Sequence, residues 1–376
     1  MQYSNNVVFT LGLFALSLLL LPLTGGTTFA DSADNWARMR SILPKGYVCY
    51  RADQPVNVDG KLDDAVWQAV PWSDDFVDIE GDAKPRPRFR TRVKMLWDAH
   101  YFYFAALMQE PHVWGTLTKH DAVIFHDNDF EVFIDPNGDN HEYYEFEINA
   151  LGTEWDLLLV KPYRDGGPYM SAWDINGLQT AVAVWGTVNN PFDEDQGWSV
   201  EMALPWAVLK EATRDKVPPL DGDQWRINFS RVQWAVEYDS GSYIKVEGKG
   251  PDNWVWSPQG LVDMHFPEKW GYVQFAEAVV GRKEVPYLAS PTGEAERVLR
   301  GIYYRQRRFH QEHGHYTTSL DSLGVTHQIL RHFLWPAVIQ VTDHQFEAQL
   351  EEVIDLDEDG EISRWLIRQD SRLWRD

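Results

Sequence analysis

Four acidic side chains, Asp129 and Glu131 followed by Glu145 and Glu147, alternate with other residues in two segments separated by a turn. Successive side chains of a β-strand point to opposite faces, so the pattern predicts a hairpin with two unlike faces. One predicted face is apolar and suits a core: Phe130, Val132, Ile134, Tyr144, Phe146 and Ile148. The other face carries acids and rings: Asp129, Glu131, Phe133, Tyr143, Glu145 and Glu147. Such a face can bind a sugar, hold a metal ion or carry a catalytic carboxyl pair.

Glycoside hydrolysis is the catalytic option for this face, with Glu131 and either Glu145 or Glu147 as general acid and base. The reaction needs two carboxyl groups about 5–10 Å apart, which neighbouring strands can provide. The same acids could instead be solvated or bind a metal, and nothing in the sequence marks one of them for a raised pKa. The chain has no serine-hydrolase, phosphate-loop or dinucleotide-binding motif. Binding and hydrolysis therefore both stay open.

The turn of this hairpin contains the run Asp135, Asn137 and Asp139. Oxygen side chains at alternate positions of a tight loop can converge on Ca²⁺, which takes about 6–8 oxygen ligands. Asp, Asn, Gly and Pro are also the residues that an ordinary hairpin turn prefers. The run therefore predicts a structural calcium site, with a plain turn as the alternative.

Short alternating runs separated by turn residues extend over residues 50–278, and this spacing is typical of an antiparallel β-sandwich or barrel. The clearest runs are residues 91–96, 101–108, 197–203, 226–234 and 270–275. A mainly β domain should therefore position the acidic hairpin.

The chain changes character after this domain. Residues 279–293 are linker-like, and helical periodicity then begins at residue 294 and should end at Gly314. Strand-like runs follow at residues 337–342, 346–354 and 362–367. Residues 294–376 are thus predicted to form a small α+β domain.

The first thirty residues contain no Asp, Glu, Lys or Arg, and an apolar run precedes Thr28, Phe29 and Ala30. This layout is typical of a signal peptide at residues 1–30, followed by an N-terminal segment at residues 31–49. An uncleaved anchor is the alternative, but Pro22 interrupts a run that is already short for a membrane span. We therefore expect a secreted, periplasmic or cell-surface protein without membrane insertion after cleavage.

The composition limits the partners. With 57 Asp and Glu against 34 Lys and Arg, the net charge of −23 disfavours nucleic acid and anionic lipid, and favours neutral or cationic ligands and divalent metals. Cys49 is the single cysteine, so no intrachain disulfide can form. The 18 tryptophans are numerous, and flat aromatic faces suit the apolar faces of sugar rings, although each Trp taken alone is more simply a core residue.

Five motifs in chain order resemble family 9 carbohydrate-binding modules: VNVDGKLDDAVW at residues 56–67, VKMLWDAHYFYFAALM at 93–108, DFEVFID at 129–135, WSVEMALPW at 198–206, and WSP at 256–258 with WGYVQF at 270–275. The resemblance implies a DOMON-like antiparallel β-sandwich with calcium ions. Such modules usually accompany xylanases and related enzymes and bind xylan- or cellulose-type glycans without cleaving them. It therefore implies poly- or oligosaccharide ligands and glycan-degrading enzymes as partners.

The resemblance also implies sugar-binding residues. Phe125 stands where relatives keep a tryptophan that clamps the sugar, and Glu131 matches a ligand carboxylate. Asn149 matches the asparagine of a conserved pair in these modules, while Glu147 replaces their arginine. Their second clamp ring aligns near residues 264–265, which hold no large ring. Three further residues are predicted to supply a replacement surface: Trp114, Trp254 and Trp256.

A second resemblance covers the C-terminal domain. Residues 303–306, 313–320 and 323–324 are similar to the globular head of type IV pilin-like proteins, in which a helix precedes a small sheet. The long apolar assembly helix of those proteins is missing, so polymerisation is not implied. A third function is then a cell-surface scaffold in which the sandwich is a spacer.

Overall fold

The computed structural model describes residues 32–213, 216–356 and 360–376, so the predicted signal peptide of residues 1–30 lies outside the described residues. Fifteen strands precede the C-terminal domain: β1 (Gly46–Arg51), β2 (Val77–Asp78), β3 (Thr91–Trp97), β4 (Tyr101–Gln109), β5 (Asp129–Asp135), β6 (Tyr143–Asn149), β7 (Glu154–Leu159), β8 (Tyr169–Met170), β9 (Gln179–Trp185), β10 (Gly197–Pro205), β11 (Gln224–Gln233), β12 (Val236–Asp239), β13 (Ser242–Lys245), β14 (Asp252–Val255) and β15 (Gly271–Val279). The helices of the described chain are α1 (Ser32–Met39), α2 (Ala65–Ala69), α3 (Trp206–Leu209) and α4 (Gly293–His313).

Thirteen of these strands form one sheet, in the order β8-β7-β6-β5-β11-β15-β1-β3-β4-β10-β9, with β14 paired to β11 and β2 paired to β14. Neighbours are antiparallel except for β1, which runs parallel to both β15 and β3. The long connection from β1 to β3 permits this parallel pairing, which hairpin signals cannot reveal. Strands β12 and β13 form a separate ribbon.

The sheet folds over onto itself. Phe104 on β4 and Phe229 on β11 have ring centroids 5.6 Å apart, although three strands separate β4 from β11 in the sheet. Four strand spacings would place them about 19 Å apart in a flat sheet. Two layers therefore face each other across an apolar core, and the prediction of a mainly β sandwich is confirmed.

The register of the β5–β6 hairpin confirms the predicted faces. Phe130 pairs with Ile148, and Val132 pairs with Phe146, and all four side chains lie in the main core. The acidic face is not open to solvent, however. A second apolar cluster covers its outer part: Ile124, Phe133, Tyr143, Trp155, Leu157, Leu159 and Trp270.

The C-terminal part contains α4 and a four-stranded sheet of β16 (Val338–Val341), β17 (Phe346–Glu351), β18 (Arg364–Arg368) and β19 (Leu373–Arg375). Helix α4 ends as the sequence predicts: Gly314 adopts φ 74° and donates its N–H to the His310 carbonyl at 2.8 Å. Trp36 of α1 stacks on Tyr304 of α4 at 4.9 Å, so the N-terminal segment joins the C-terminal core.

Buried polar contacts join this part to the sandwich. The Arg164 guanidinium donates to both oxygens of Glu268 at 2.9 Å, and Tyr304 of α4 donates to the same carboxylate. Glu296 of α4 pairs with Arg226 of β11 at 2.5 Å. The described residues from 32 onward accordingly belong to one compact unit. Among the described residues, no helix combines the length and the apolar character that crossing a membrane requires.

Candidate functional site

The four acids of the hairpin form a buried carboxyl cluster, comprising Asp129, Glu131, Glu145 and Glu147. Each side chain is at most 5% exposed. Glu131 lies directly opposite Glu147 across the β5–β6 pair. Carboxylate oxygens of Asp129, Glu131 and Glu147 all lie within 4.8 Å of one another. The period-2 pattern predicts the shared face, whereas the close convergence depends on the cross-strand register.

Burial dominates the electrostatics of the carboxyl cluster. It raises the pKa of Glu131 to about 7. Burial and the nearby Glu131 carboxyl raise the pKa values of Asp129, Glu145 and Glu147 well above their ordinary range. Within the described part of the chain, no ion pair involves any of the four. At neutral pH, these groups must share protons or acquire a cation, because unpaired buried charges are costly.

Only part of the hydrogen-bonding capacity of this cluster is used. Asp129 Oδ1 accepts the Val232 N–H at 3.2 Å, and Glu147 Oε2 accepts the Phe125 N–H at 2.9 Å. Asp129 Oδ2 is buried and has no hydrogen-bond partner. The Ser230 side chain lies opposite Glu131 in the β5–β11 register and is buried, and its hydrogen bond to Glu131 partly offsets the effect of burial on the pKa of that carboxyl.

Four rings form an aromatic border beside the carboxyl cluster: Phe125, Trp155, Tyr163 and Tyr169. Phe125, Tyr163 and Tyr169 are 38–48% exposed, while Trp155 is buried opposite Glu147 in the β6–β7 register. The ring centroid of Trp155 is 6.5 Å from that of Phe125 and 6.5 Å from that of Tyr169. The ring centroids of Tyr169 and Tyr163 are 6.1 Å apart. Burial and then the Glu145 charge raise the pKa of Tyr163, consistent with its place beside the acids. Exposed rings next to polar groups are the elements from which sugar sites are built.

Phe125 lies in a short helical turn, Ile124–His126, before β5, and its N–H donates to Glu147, which pairs with Glu131 in the β5–β6 register. A ring from another part of the chain lies next to the segment where the resemblance places the second clamp ring. The ring centroid of Tyr163 is 4.4 Å from that of His265.

The structure corrects the predictions for three other binding residues. Asn149 is fully buried, its amide donates to Leu117 O and Asp127 Oδ2, and its carbonyl accepts the N–H groups of Leu151 and Thr153. It holds a turn and has no capacity left for a sugar. Trp254 and Trp256 are at most 3% exposed and lie in the main core, so neither presents a face to a ligand.

Trp114 is also buried, at 4% exposure. It lies near the site rather than in it: Lys245 Nζ is 6.0 Å from the Trp114 ring centre and 3.6 Å from that of Trp234, whose indole N–H donates to Phe125 O. Within the described chain, Trp114 is therefore linked to the Phe125 segment through Lys245 and Trp234.

The predicted calcium turn already holds protein donors. The two Asp135 oxygens accept the N–H groups of Gly138 and Asn140, each at 2.9 Å. Asp139 accepts the His141 N–H at 2.7 Å and the Arg372 guanidinium at 3.1 Å, and the Asn137 carbonyl accepts the Asp139 N–H at 3.3 Å. These residues form a hydrogen-bonded turn beside a cation, and as folded they do not fit a calcium site.

A second group of metal-binding residue types was not predicted: His120, Asp121 and Asp174 are exposed, and Asp156 is buried beside them. The residues missed at the aromatic border, Trp155, Tyr163 and Tyr169, lie on β7, in the short helical turn that follows it and on β8. Their only signal was the general abundance of aromatic residues.

Fold and site together define a β-sandwich in which exposed rings lie beside a buried cluster of carboxyl groups. Residues 58–223 match the family described as "Carbohydrate family 9 binding domain-like", as the motifs predicted, and this range includes the carboxyl cluster and the aromatic border. The chain is similar to Exoglucanase XynX from Acetivibrio thermocellus, with 26% identity over 152 residues. That match covers 40% of this chain and 12% of the relative.

Two solved structures are also similar, both of a family 9 carbohydrate-binding module from Caldicellulosiruptor kristjanssonii. The complex with cellotriose has a TM-score of 0.40 and 15% identity, covering 65% of this chain and all of the module. The complex with glucose has a TM-score of 0.41 and 14% identity, covering 64% of this chain and all of the module.

Proposed function

We propose that this protein is an exported, non-catalytic carbohydrate-binding protein that attaches to glycan chains of the xylan or cellulose type and works beside the enzymes that degrade them. The observation that carries the proposal is the aromatic border, with three exposed rings beside the carboxyl cluster inside the segment that matches a carbohydrate-binding family. Stacking of a pyranose ring on Phe125 or Tyr163 would bury apolar surface on both partners.

The burial of the carboxyl cluster supports binding over hydrolysis. Glu131, Glu145 and Glu147 are all at most 5% exposed, so a glycosidic oxygen has no open approach to Glu131 together with Glu145 or Glu147. A general acid must reach the leaving oxygen, and an inverting pair must also leave room for a water molecule between the two groups. Since Glu131 is as buried as Glu145, the exposed rings of the aromatic border make the main contact with the sugar.

Affinity electrophoresis against soluble xylan, β-glucan and mannan tests the proposal, combined with a reducing-sugar assay on the same mixtures. We expect retardation by at least one polysaccharide without sugar release. Release that Glu131→Gln abolishes would support a hydrolase instead. If no polysaccharide retards the protein and no sugar is released, the scaffold function becomes the better explanation.

A further inference from the structure

A second cleft lies on the other layer of the sandwich, away from the carboxyl cluster. Residues of β3, β4, β9 and β10 line it, and its volume of about 530 Å³ falls within the range of about 300–1,000 Å³ that is usual for small-ligand sites. Strand β4 faces β11 across the core, and β11 is the neighbour of β5. The cleft and the acidic hairpin therefore belong to opposite layers.

One cation of this cleft has no counter-ion. Arg90 and Lys61 also line the cleft, but Arg90 pairs with Asp75 at 2.7 Å and Lys61 pairs with Asp59 at 3.0 Å. Arg92 forms no ion pair with a carboxylate of the described chain, and its Nε is buried without a hydrogen-bond partner. A guanidinium carries five N–H donors, so Arg92 keeps hydrogen-bonding capacity for a ligand.

Neighbouring positive charge makes the lack of an acceptor at Arg92 unfavourable. Arg92 and Lys94 point to the same face of β3, and Arg92 Cζ and Lys94 Nζ lie 4.2 Å and 4.4 Å from the centroid of the Trp72 ring. Burial and then the charge of Arg90 lower the pKa of Arg92. Burial and then the charge of Arg92 lower the pKa of Lys94 to about 8. An anion bound at Arg92 would offset both the desolvation and the repulsion.

An exposed aromatic ring lies in the same cleft. Trp185 on β9 is 38% exposed, and Gly197 separates it from Gln109 in the register of β9, β10 and β4. Gly197 adopts φ 145°, and a Cβ at this position would lie 2.1 Å from the Met108 carbonyl oxygen, so no side chain can stand between the indole and the amide. An aromatic face, an amide and a guanidinium thus border one cleft, and together they suit a sugar ring that carries a carboxylate.

We propose that this cleft binds a uronic acid residue of a polysaccharide, with the sugar carboxylate on the Arg92 guanidinium and the apolar face of the sugar ring on Trp185. The planar guanidinium fork matches the two oxygens of a carboxylate. The net charge of −23 repels densely charged polyanions, so the favoured ligand carries isolated uronate groups on a neutral backbone. This second site goes beyond the proposed function of the aromatic border and does not depend on it.

Affinity electrophoresis of the protein with glucuronoxylan, and with the same polymer after reduction of its carboxyl groups to alcohols, tests the proposal. We expect the native polymer to bind the wild type about tenfold more tightly than the reduced polymer, because only the native polymer offers a carboxylate to Arg92. Arg92→Gln should abolish this difference. The matched control is Arg282→Gln, which removes an exposed arginine paired with Asp53 at 2.9 Å outside the cleft, and it should keep the difference. Equal binding of the two polymers by the wild type, or a difference that persists in Arg92→Gln, overturns the proposal.

Two further measurements keep the test decisive if Arg92→Gln does not fold. Trp185→Ala removes an exposed ring and should weaken binding of the native polymer about tenfold, whereas unchanged binding contradicts the site. Glucuronate added to the gel should abolish the difference between the polymers at concentrations at which glucose and sulfate do not. Equal competition by glucuronate and sulfate would show general attraction of anions and would overturn the uronate site.

The two sugar sites can fail separately. Retardation by neutral polysaccharides and its loss in Phe125→Ala report on the aromatic border. The difference between native and carboxyl-reduced glucuronoxylan, and its loss in Arg92→Gln, report on the cleft. Failure of the uronate site and failure of the proposed function therefore remain distinguishable.

Discussion

Arg300 of α4 donates a hydrogen bond of 2.8 Å to Asn140 Oδ1, in the turn where the sequence predicts calcium. The same guanidinium donates to the Ser371 carbonyl, so one buried side chain ties the hairpin turn to the C-terminal sheet. A fixed cation thus lies beside Asp135 and Asp139, and the acids of this turn serve the junction between the sandwich and the C-terminal domain.

Substitution of Arg300 should therefore destabilise the whole unit. We expect Arg300→Ala to lower the free energy of unfolding by about 3 kcal/mol. The substitution leaves two buried acceptors, the Ser371 carbonyl and Asn140 Oδ1, without their charged donor. Urea denaturation followed by tryptophan fluorescence measures the change. The control is Arg297→Ala, one turn earlier on the exposed side of α4, which should change the free energy by less than about 0.5 kcal/mol.

The Glu268–Arg164 pair should make stability depend on pH. Burial opposes ionisation of Glu268, but Arg164 and Arg300 outweigh it and lower its pKa to about 2. The pKa of Glu268 is lower in the folded protein than in the unfolded chain, where it is near 4.5. The carboxylate therefore contributes its full stabilisation above pH 4.5, and this contribution is lost as the pH falls towards 2. Glu268→Gln should cost about 3 kcal/mol at pH 7 and flatten the decline of stability between pH 4.5 and pH 2.5.

Thermal or urea unfolding at several pH values measures that slope. The matched control is Glu312→Gln, which removes an exposed carboxylate paired with Arg308 at 2.8 Å on the surface of α4. Exposed pairs contribute about 0–1 kcal/mol, so this variant should retain the wild-type profile. An unchanged profile in Glu268→Gln would contradict the role given to the buried pair.

Phe125 should contribute to polysaccharide binding through its ring alone, because its backbone N–H holds Glu147 in any variant. We expect Phe125→Ala to weaken binding about tenfold, equivalent to the loss of about 1.4 kcal/mol of apolar contact, and Phe125→Trp to retain or strengthen it. Affinity electrophoresis against the retarding polysaccharide gives the ratio. Phe192→Ala removes a ring that is 77% exposed but outside the aromatic border, and it should bind as the wild type does.

Trp256 should affect stability without affecting sugar binding. It is 1% exposed, and its ring packs edge-on against that of Tyr47. Trp256→Ala should cost about 3–5 kcal/mol through the cavity that it leaves. The milder Trp256→Phe keeps a ring in the core and should show wild-type retardation. Weaker retardation of folded Trp256→Phe would return this residue to the binding surface.

The sequence by itself determined the two faces of the β5–β6 hairpin, because the alternation of side chains is a local property of extended backbone. It also determined the end of α4, since Gly314 takes a left-handed conformation that other residues rarely adopt. The motifs that resemble the carbohydrate-binding family also located the domain that matches it, because each motif is a contiguous stretch of the chain.

Only the tertiary structure decided what surrounds those local elements. Whether Glu131 faces solvent or a closed pocket depends on segments around residues 125, 163 and 265, which meet the hairpin through packing across the fold. The burial of Trp254 and Trp256 and the approach of Arg300 to the hairpin turn are likewise long-range contacts. Side-chain type and spacing fix the face on which a residue lies, whereas burial and charge partners are properties of the assembled layers.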